Sequence, residues 1–213
     1  MTPTVQLTSI SKAFARGAST VTVLDGVDLT VEPGEVVMIR GRSGSGKTTL
    51  LSILAGWLTA DSGTLRWSPD IETRPDAWNN VAVIPQTLGL LSELTISENV
   101  SLPYRLGTAP TDGTELIGEL EIAELVDRPI DGVSLGEQQR AAVARALAAH
   151  PKLLLADEPT SHLDPDRLRL VWNLLRRHAA SERMSVVAAS HDPDALLFAD
   201  RVLDLRGGKL SAG

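Results

Sequence analysis

Gly41-Arg42-Ser43-Gly44-Ser45-Gly46-Lys47-Thr48-Thr49 lies between the apolar run Val36-Val37-Met38-Ile39 and Leu50-Leu51-Ser52-Ile53-Leu54-Ala55, an order that reads as strand, tight loop and helix. A phosphate chain needs several backbone N–H groups converging on it. Glycines let the loop curl until those groups point inward, and the following helix adds its positive N-terminal end. Lys47 supplies a point charge for the outer phosphates, and the Thr48 hydroxyl is placed to ligate Mg²⁺. At average residue frequencies the fixed positions of this pattern arise by chance in roughly one chain in a hundred of this length. The stretch is therefore read as a nucleoside triphosphate site rather than a glycine-rich turn.

A chain of 213 residues is one large domain, or one domain with a subdomain, and buries a sizeable core. With 43% hydrophobic and 22% charged residues it has an ordinary globular composition. The net charge of −7 argues against nucleic acid or anionic lipid as the main partner, because neutralising phosphates needs a basic face. Cysteine is absent, which excludes a disulfide framework, a thiol nucleophile and a thiolate metal site. The start, Met1-Thr2-Pro3-Thr4-Val5, lacks a basic segment with an apolar core behind it, and no apolar run approaches the length of a bilayer span. A cytoplasmic protein is expected.

Val5 to Ile10, Val21 to Leu24 and Val27 to Val31 read as short strands punctuated by Gly17, Gly26 and Pro33-Gly34. Phe14 falls in the loop between the first two; on position alone a core plug is favoured over a stacking platform. Ser62 to Trp67 resembles an edge strand, 69–80 a proline-broken loop, and Val81 to Ile84 a buried strand ending at Pro85-Gln86. Gln86 is either a solvated loop residue or a group reaching a metal and a water, since open α/β sheets bind ligands beyond the carboxyl ends of their strands. From Thr87 to Gly132 the composition becomes that of a helical insertion. Thr95-Ile96-Ser97-Glu98 is a capping box, Pro103 and Pro110 interrupt the helix it starts, and Glu115 to Asp127 carries helical apolar spacing.

Leu135 to His150 reads as one alanine-rich helix, with Ser134 and Gly136 at its N-terminus as a second anion-binding geometry or a simple serine cap. The apolar run from Lys152 to Ala156 ends in Asp157-Glu158-Pro159. Adjacent carboxylates at the end of a buried strand are costly unless a cation or a reaction uses them. Because side chains alternate along a strand, Asp157 is expected to face the Mg²⁺ held by Thr48, and Glu158 the water attacking the γ-phosphate. A helix over Pro165 to Ala180 precedes another apolar strand, Ser185 to Ser190, which ends at His191, a position suited to bonding the γ-phosphate. Arg201 to Leu205 and Lys209-Leu210 read as a closing hairpin, with no further domain expected after it.

Taken in order, these motifs resemble the nucleotide-binding subunit of an ATP-binding cassette (ABC) transporter, over nearly the whole chain. The resemblance implies an α/β P-loop NTPase with a mixed sheet core, an N-terminal antiparallel β subdomain and a helical subdomain, 87–135, inserted in a single domain, 1–213. It implies that Phe14 stacks on adenine, reversing the positional preference. Gly41, Ser43, Gly44, Ser45, Gly46, Lys47, Thr48 and Thr49 would hold the phosphates of ATP, and Thr48, Gln86 and Asp157 would surround Mg²⁺. Glu158 is similar to the family's general base, His191 to its switch histidine, and Asp164, in Ser161-His162-Leu163-Asp164, to the residue that communicates between sites. His162 is read as a surface or interface residue. In this family two cassettes pair head to tail, so Ser134, Gly136 and Glu137 would complete the site of a second chain, expected to be identical.

Leu94 to Pro103 looks like the lipoprotein-releasing and macrolide-efflux branch, whose relatives include a cell-division ATPase. The family usually has Leu-Ser-Gly-Gly-Gln or Glu where this chain has Val133-Ser134-Leu135-Gly136-Glu137. Leucine for glycine excludes easy access to positive φ and would crowd a partner. The function implied is an ATPase that dimerises on ATP and drives an integral membrane permease, as an exporter or by mechanical transmission, from the inner face of the cell membrane. Two alternatives are a cell-division or regulatory ATPase acting without transport, and a soluble cassette working on nucleic acid or ribosomes. The last tends to carry tandem cassettes or coiled-coil insertions, unlike this acidic chain without heptads.

Overall fold

The computed structural model describes residues 2–17, 19–69, 71 and 80–213, so most of the expected loop over 69–80 lies outside them. In chain order the elements are β1 (Val5–Arg16), β2 (Ser19–Val31), β3 (Val36–Arg40), α1 (Lys47–Leu54), β4 (Ser62–Trp67), β5 (Val81–Ile84), α2 (Ile96–Val100), α3 (Leu102–Arg105) and α4 (Thr114–Glu119). Two 3₁₀ turns, Ala123–Leu125 and Ile130–Gly132, lead into α5 (Leu135–Ala148). There follow β6 (Leu153–Asp157), α6 (Pro165–Glu182), β7 (Ser185–Ala189), α7 (Pro193–Leu196), β8 (Arg201–Arg206) and β9 (Lys209–Ala212).

A six-stranded sheet runs in the order β5-β6-β7-β3-β8-β9, parallel except for β9, and an antiparallel three-stranded sheet runs β2-β1-β4. The central strands are buried on both faces, which is why they read as continuous apolar runs instead of alternating ones. Val37, Ile39, Leu153, Leu155, Val187 and Ala189 join the core shared with α1 and the three-stranded sheet. Their neighbours Val36, Met38, Leu154, Ala156, Val186 and Ala188 join the opposite core, built with α5, α6 and the helical segment. A parallel sheet covered on both sides opens only at its ends, so the loops after β3, β5, β6 and β7 gather at one edge.

Several expectations shift. β1 does not stop at Ile10 but continues through Phe14, which pairs with Val21, and β2 bulges around Gly26 rather than ending there. β5 is the sheet's edge strand, with Val81 and Val83 only half-buried. The helix expected over Glu115 to Asp127 breaks after α4, where Glu121 takes φ 54° and the backbone restarts as a 3₁₀ turn. Pro103 does not simply interrupt a helix, because it sits in the first turn of α3, where its missing N–H is harmless. The capping box at Thr95 and Glu98 is formed as read.

Buried polar side chains hold the irregular segments in place. Asn99, fully buried, donates to the carbonyls of Leu91, Leu94 and Thr95 and accepts from the Leu91 amide. Arg145 donates to the carbonyls of Gly89, at 2.7 Å, and Leu88, at 3.1 Å, tying α5 to the turn after Gln86. Trp172 of α6, also fully buried, stacks on Phe198 and donates its Nε1–H to Thr160 Oγ1 at 3.2 Å. Trp172→Ala is expected to cost about 3–5 kcal/mol, read as a lowered midpoint in urea unfolding.

Candidate nucleotide site

The phosphate loop joins β3 to α1 at the open edge of the sheet. Its curvature depends on Gly41, where a Cβ would lie 2.5 Å from Ser45 Oγ and 2.7 Å from the Leu205 carbonyl of β8. Lys47 arches back over the loop, its Nζ donating to Gly41 O at 2.9 Å and Arg42 O at 3.4 Å. The Ser45 hydroxyl is buried and, among the described residues, lacks a hydrogen-bond partner, a donor held ready inside the loop. Ser43 and Gly44 form the exposed tip, and Gly46 and Thr49 carry the chain into α1. Val23 of β2 packs against Gly46. Phe14, opposite Val21, therefore stands two residues along the same strand pair from the loop. It is 41% exposed, and Lys12 Nζ lies 5.6 Å from its ring centroid. The positional preference for a core plug is thus corrected: the ring presents a face to solvent, because β1 runs past the core as part of an exposed hairpin.

The two carboxylates at the end of β6, Asp157 within it and Glu158 just past it, diverge. Asp157 Oδ2 accepts from Thr48 Oγ1 at 2.5 Å, and Gln86 lines the same small cleft. Threonine, glutamine and carboxylate oxygens form a hard donor set suited to Mg²⁺. Glu158 instead bonds through Oε1 to His191 Nδ1 at 2.8 Å, with the imidazole largely exposed. Alternation along the strand is only part of the reason, because Glu158 itself has left β6 and takes φ 54°. Asp164 caps α6, accepting from the amides of Arg167 at 2.9 Å and Asp166 at 3.0 Å, bonds that hold its carboxyl below the usual range.

Ser134 is the N-cap of α5 and forms a full capping box. Its hydroxyl and its amide each donate to Glu137 Oε2 at 2.7 Å. Those bonds, the hydroxyl's first, hold the Glu137 carboxyl below its usual range. Leu135 does not need the positive φ feared for it: it is the first helical residue and 44% exposed, so its side chain projects from the surface. Gly136 packs against a neighbouring loop, since a Cβ there would meet His162 O at 3.1 Å and Leu163 Cδ2 at 3.2 Å.

Sequence reading gave no role to Arg145 or Gln139. Gln139 is buried, and among the described residues its side-chain amide bonds to the segment after β6, to Glu158 O, Ser161 Oγ and the His162 amide. The available signal was periodicity: position 139 shares the inward face of α5 with Val143 and Ala146, and a polar residue on such a face must have a partner.

A phosphate-binding loop on a doubly covered parallel sheet, with paired carboxylates at the adjoining strand end, defines a P-loop nucleotide-binding protein. The model of the ABC transporter family matches residues 24–161, and the chain belongs to that family as an ATP-binding cassette. It is 36% identical over 223 residues to the lipoprotein-releasing system ATP-binding protein LolD 1 of Rhodospirillum rubrum, covering 98% of this chain and 97% of that one. It is 39% identical over 210 residues to an uncharacterized ABC transporter ATP-binding protein of Mycobacterium tuberculosis, of which it spans 63%. The structure superposes on the dimeric ATP-binding cassette MJ0796 in a post-hydrolysis state bound to ADP and Pi, with TM-score 0.88, 28% identity and 98% coverage of both chains.

Two outcomes are expected. Gly41→Ala forces about 1–3 kcal/mol of strain into the loop, so binding of a fluorescent ATP analogue should weaken about tenfold or more. The bonds from Ser134 lower the Glu137 pKa, so the cap is stabilising above the ordinary glutamate range and its contribution is lost as pH falls through the lowered value. The melting-temperature gap between wild type and Glu137→Ala should therefore be widest at about pH 7 and shrink as the pH is taken down through the acid range.

Proposed function

We propose that this chain is the ATP-hydrolysing subunit of a transporter, working as a pair of identical cassettes that close on ATP and reopen after hydrolysis. The observation that carries this reading is the divergence of two neighbouring carboxylates, Asp157 to Thr48 and Glu158 to His191. One carboxylate is committed to the metal side of a phosphate chain, and the other to the water side. In this reading Lys47 and the loop amides of 41–49 neutralise the β- and γ-phosphates, and Phe14 stacks on the adenine through its exposed face. Thr48, Asp157 and Gln86 would hold Mg²⁺, which when bound neutralises charge on the transferring phosphoryl group. Glu158 takes the proton of the attacking water, and His191, held by Glu158 through Nδ1, hydrogen-bonds the γ-phosphate.

The exposed N-terminus of α5 supports a paired arrangement. The Ser134 hydroxyl and the Gly136 amide would meet the γ-phosphate bound to the partner chain, with Glu137 contributing to the same site by holding Ser134 in place and Asp164 relaying between the two sites. The dimeric state of MJ0796 with ADP and Pi supports this arrangement. ATP realised as glue only in the closed pair shifts the open-to-closed equilibrium in proportion to its differential binding. No helix of the described residues is long and apolar enough to cross a membrane. Work on a membrane therefore needs a permease partner, docked on the helical subdomain 87–135 at the inner face. The similarity to LolD 1 favours the lipoprotein-releasing branch and an export or mechanical-transmission role. The acidic balance disfavours nucleic acid.

Glu158→Gln should bind ATP yet turn over about 10²–10⁴-fold more slowly, and should accumulate as a dimer with ATP and Mg²⁺ in size-exclusion chromatography with light scattering. A variant that stays monomeric at high concentration overturns the paired mechanism.

A further inference from the structure

We infer that Gln139 is a positioning residue for Glu158, coupling the first turn of α5 to the segment that carries the catalytic carboxylate. The inference rests on the ATPase reading for its functional meaning, while its structural part stands by itself. Gln139 is 2% exposed. Its Nε2 donates to Glu158 O at 3.3 Å and Ser161 Oγ at 3.1 Å, and its Oε1 accepts from the His162 amide at 3.0 Å. A buried amide therefore directs both ends of its hydrogen-bonding capacity to three residues, Glu158, Ser161 and His162, at the two ends of one short segment.

That segment needs outside support. Glu158 is in the left-handed region at φ 54°, where a glutamate backbone is strained, and its own turn supplies only the Ser161 amide, 3.3 Å from its carbonyl. β7 pins the entry, through Glu158 N to Ala189 O at 3.0 Å. α6 pins the middle, through Trp172 Nε1 to Thr160 Oγ1. α5 pins both ends, through Gln139. Of these supports, only α5 also carries Ser134 and Gly136. Gly136 lies three residues before Gln139, hence on the same helix face, and its Cα side meets His162 O and Leu163 of the same segment. A shift of the α5 N-terminus, as when a partner's nucleotide engages it, is thus delivered to the backbone that aims Glu158 at His191.

The test uses the full chain with Gln139→Leu, which keeps volume and removes all three bonds, and Gln139→Glu, which keeps an acceptor for the His162 amide. For Gln139→Leu, hydrogen exchange at the His162 amide should accelerate about tenfold or more. Its kcat should fall about tenfold with KM for ATP within about twofold. Gln139→Glu should restore His162 protection and part of kcat. A purely structural glutamine would lower the melting temperature and leave kcat of the folded protein unchanged, and that result overturns the inference. Should Gln139→Leu fail to fold, Gln139→Glu is the deciding variant, and wild-type kcat in it overturns the inference equally. If the wild-type chain itself turns over no ATP, the functional reading fails instead. Exchange then decides alone, unchanged His162 protection in Gln139→Leu being the refuting outcome.

Discussion

At Glu158 the chain turns out of β6 through the left-handed region, a conformation that costs a non-glycine residue about 1–2 kcal/mol. Everything chemical at this site depends on that turn. A strand continued for one more residue would carry Glu158 along the sheet direction. The kink instead swings its carboxylate to His191 while Asp157, still in the strand, keeps hold of Thr48. Neighbouring carboxylates with separate partners avoid the mutual repulsion of a shared site and can serve different chemistry.

The strain persists because its surroundings over-determine it. Strands buried on both faces provide a rigid floor: β6 is held between β5 and β7, and its apolar side chains enter two separate cores. Above that floor the loops place only a few apolar side chains, such as Leu88 and Leu163, against the core among the described residues. They are held by buried polar side chains from the helices: Gln139 for the segment after β6, Arg145 for the turn after β5, Asn99 for the approach to α2. Burial pushes the Arg145 guanidinium down from its usual range, a desolvation cost offset by its two carbonyl partners. Such directed polar contacts fix geometry more sharply than apolar packing, because their direction as well as their distance is specified.

α5 joins these demands in one element. Its N-terminus exposes Ser134 while Gly136 packs on the loop after β6, its second turn grips that same segment, and its later turns fill the core and reach the Gln86 turn. A helix moves as a stiff rod, so these contacts cannot change independently. Leu135 fits this role without strain because its position is helical, and it adds an exposed apolar side chain beside Ser134.

The sequence by itself determined the class of fold and the positions at which the candidate site residues fall, since glycine spacing, apolar runs and caps act over a few residues and leave a readable period. It located the phosphate loop, the carboxylates at the end of β6, His191 and the capping boxes at Thr95 and Ser134. Tertiary structure alone decided the rest. Phe14 became an exposed strand residue because β1 pairs past Ile10 with β2, and β5 became an edge because strand order is set by long-range pairing. The helix expected beyond α4 broke at Glu121, against local apolar spacing. Gln139 and Arg145 acquired their partners only when α5 folded against loops 19 and 57 residues away in the chain, contacts that leave no local pattern to read.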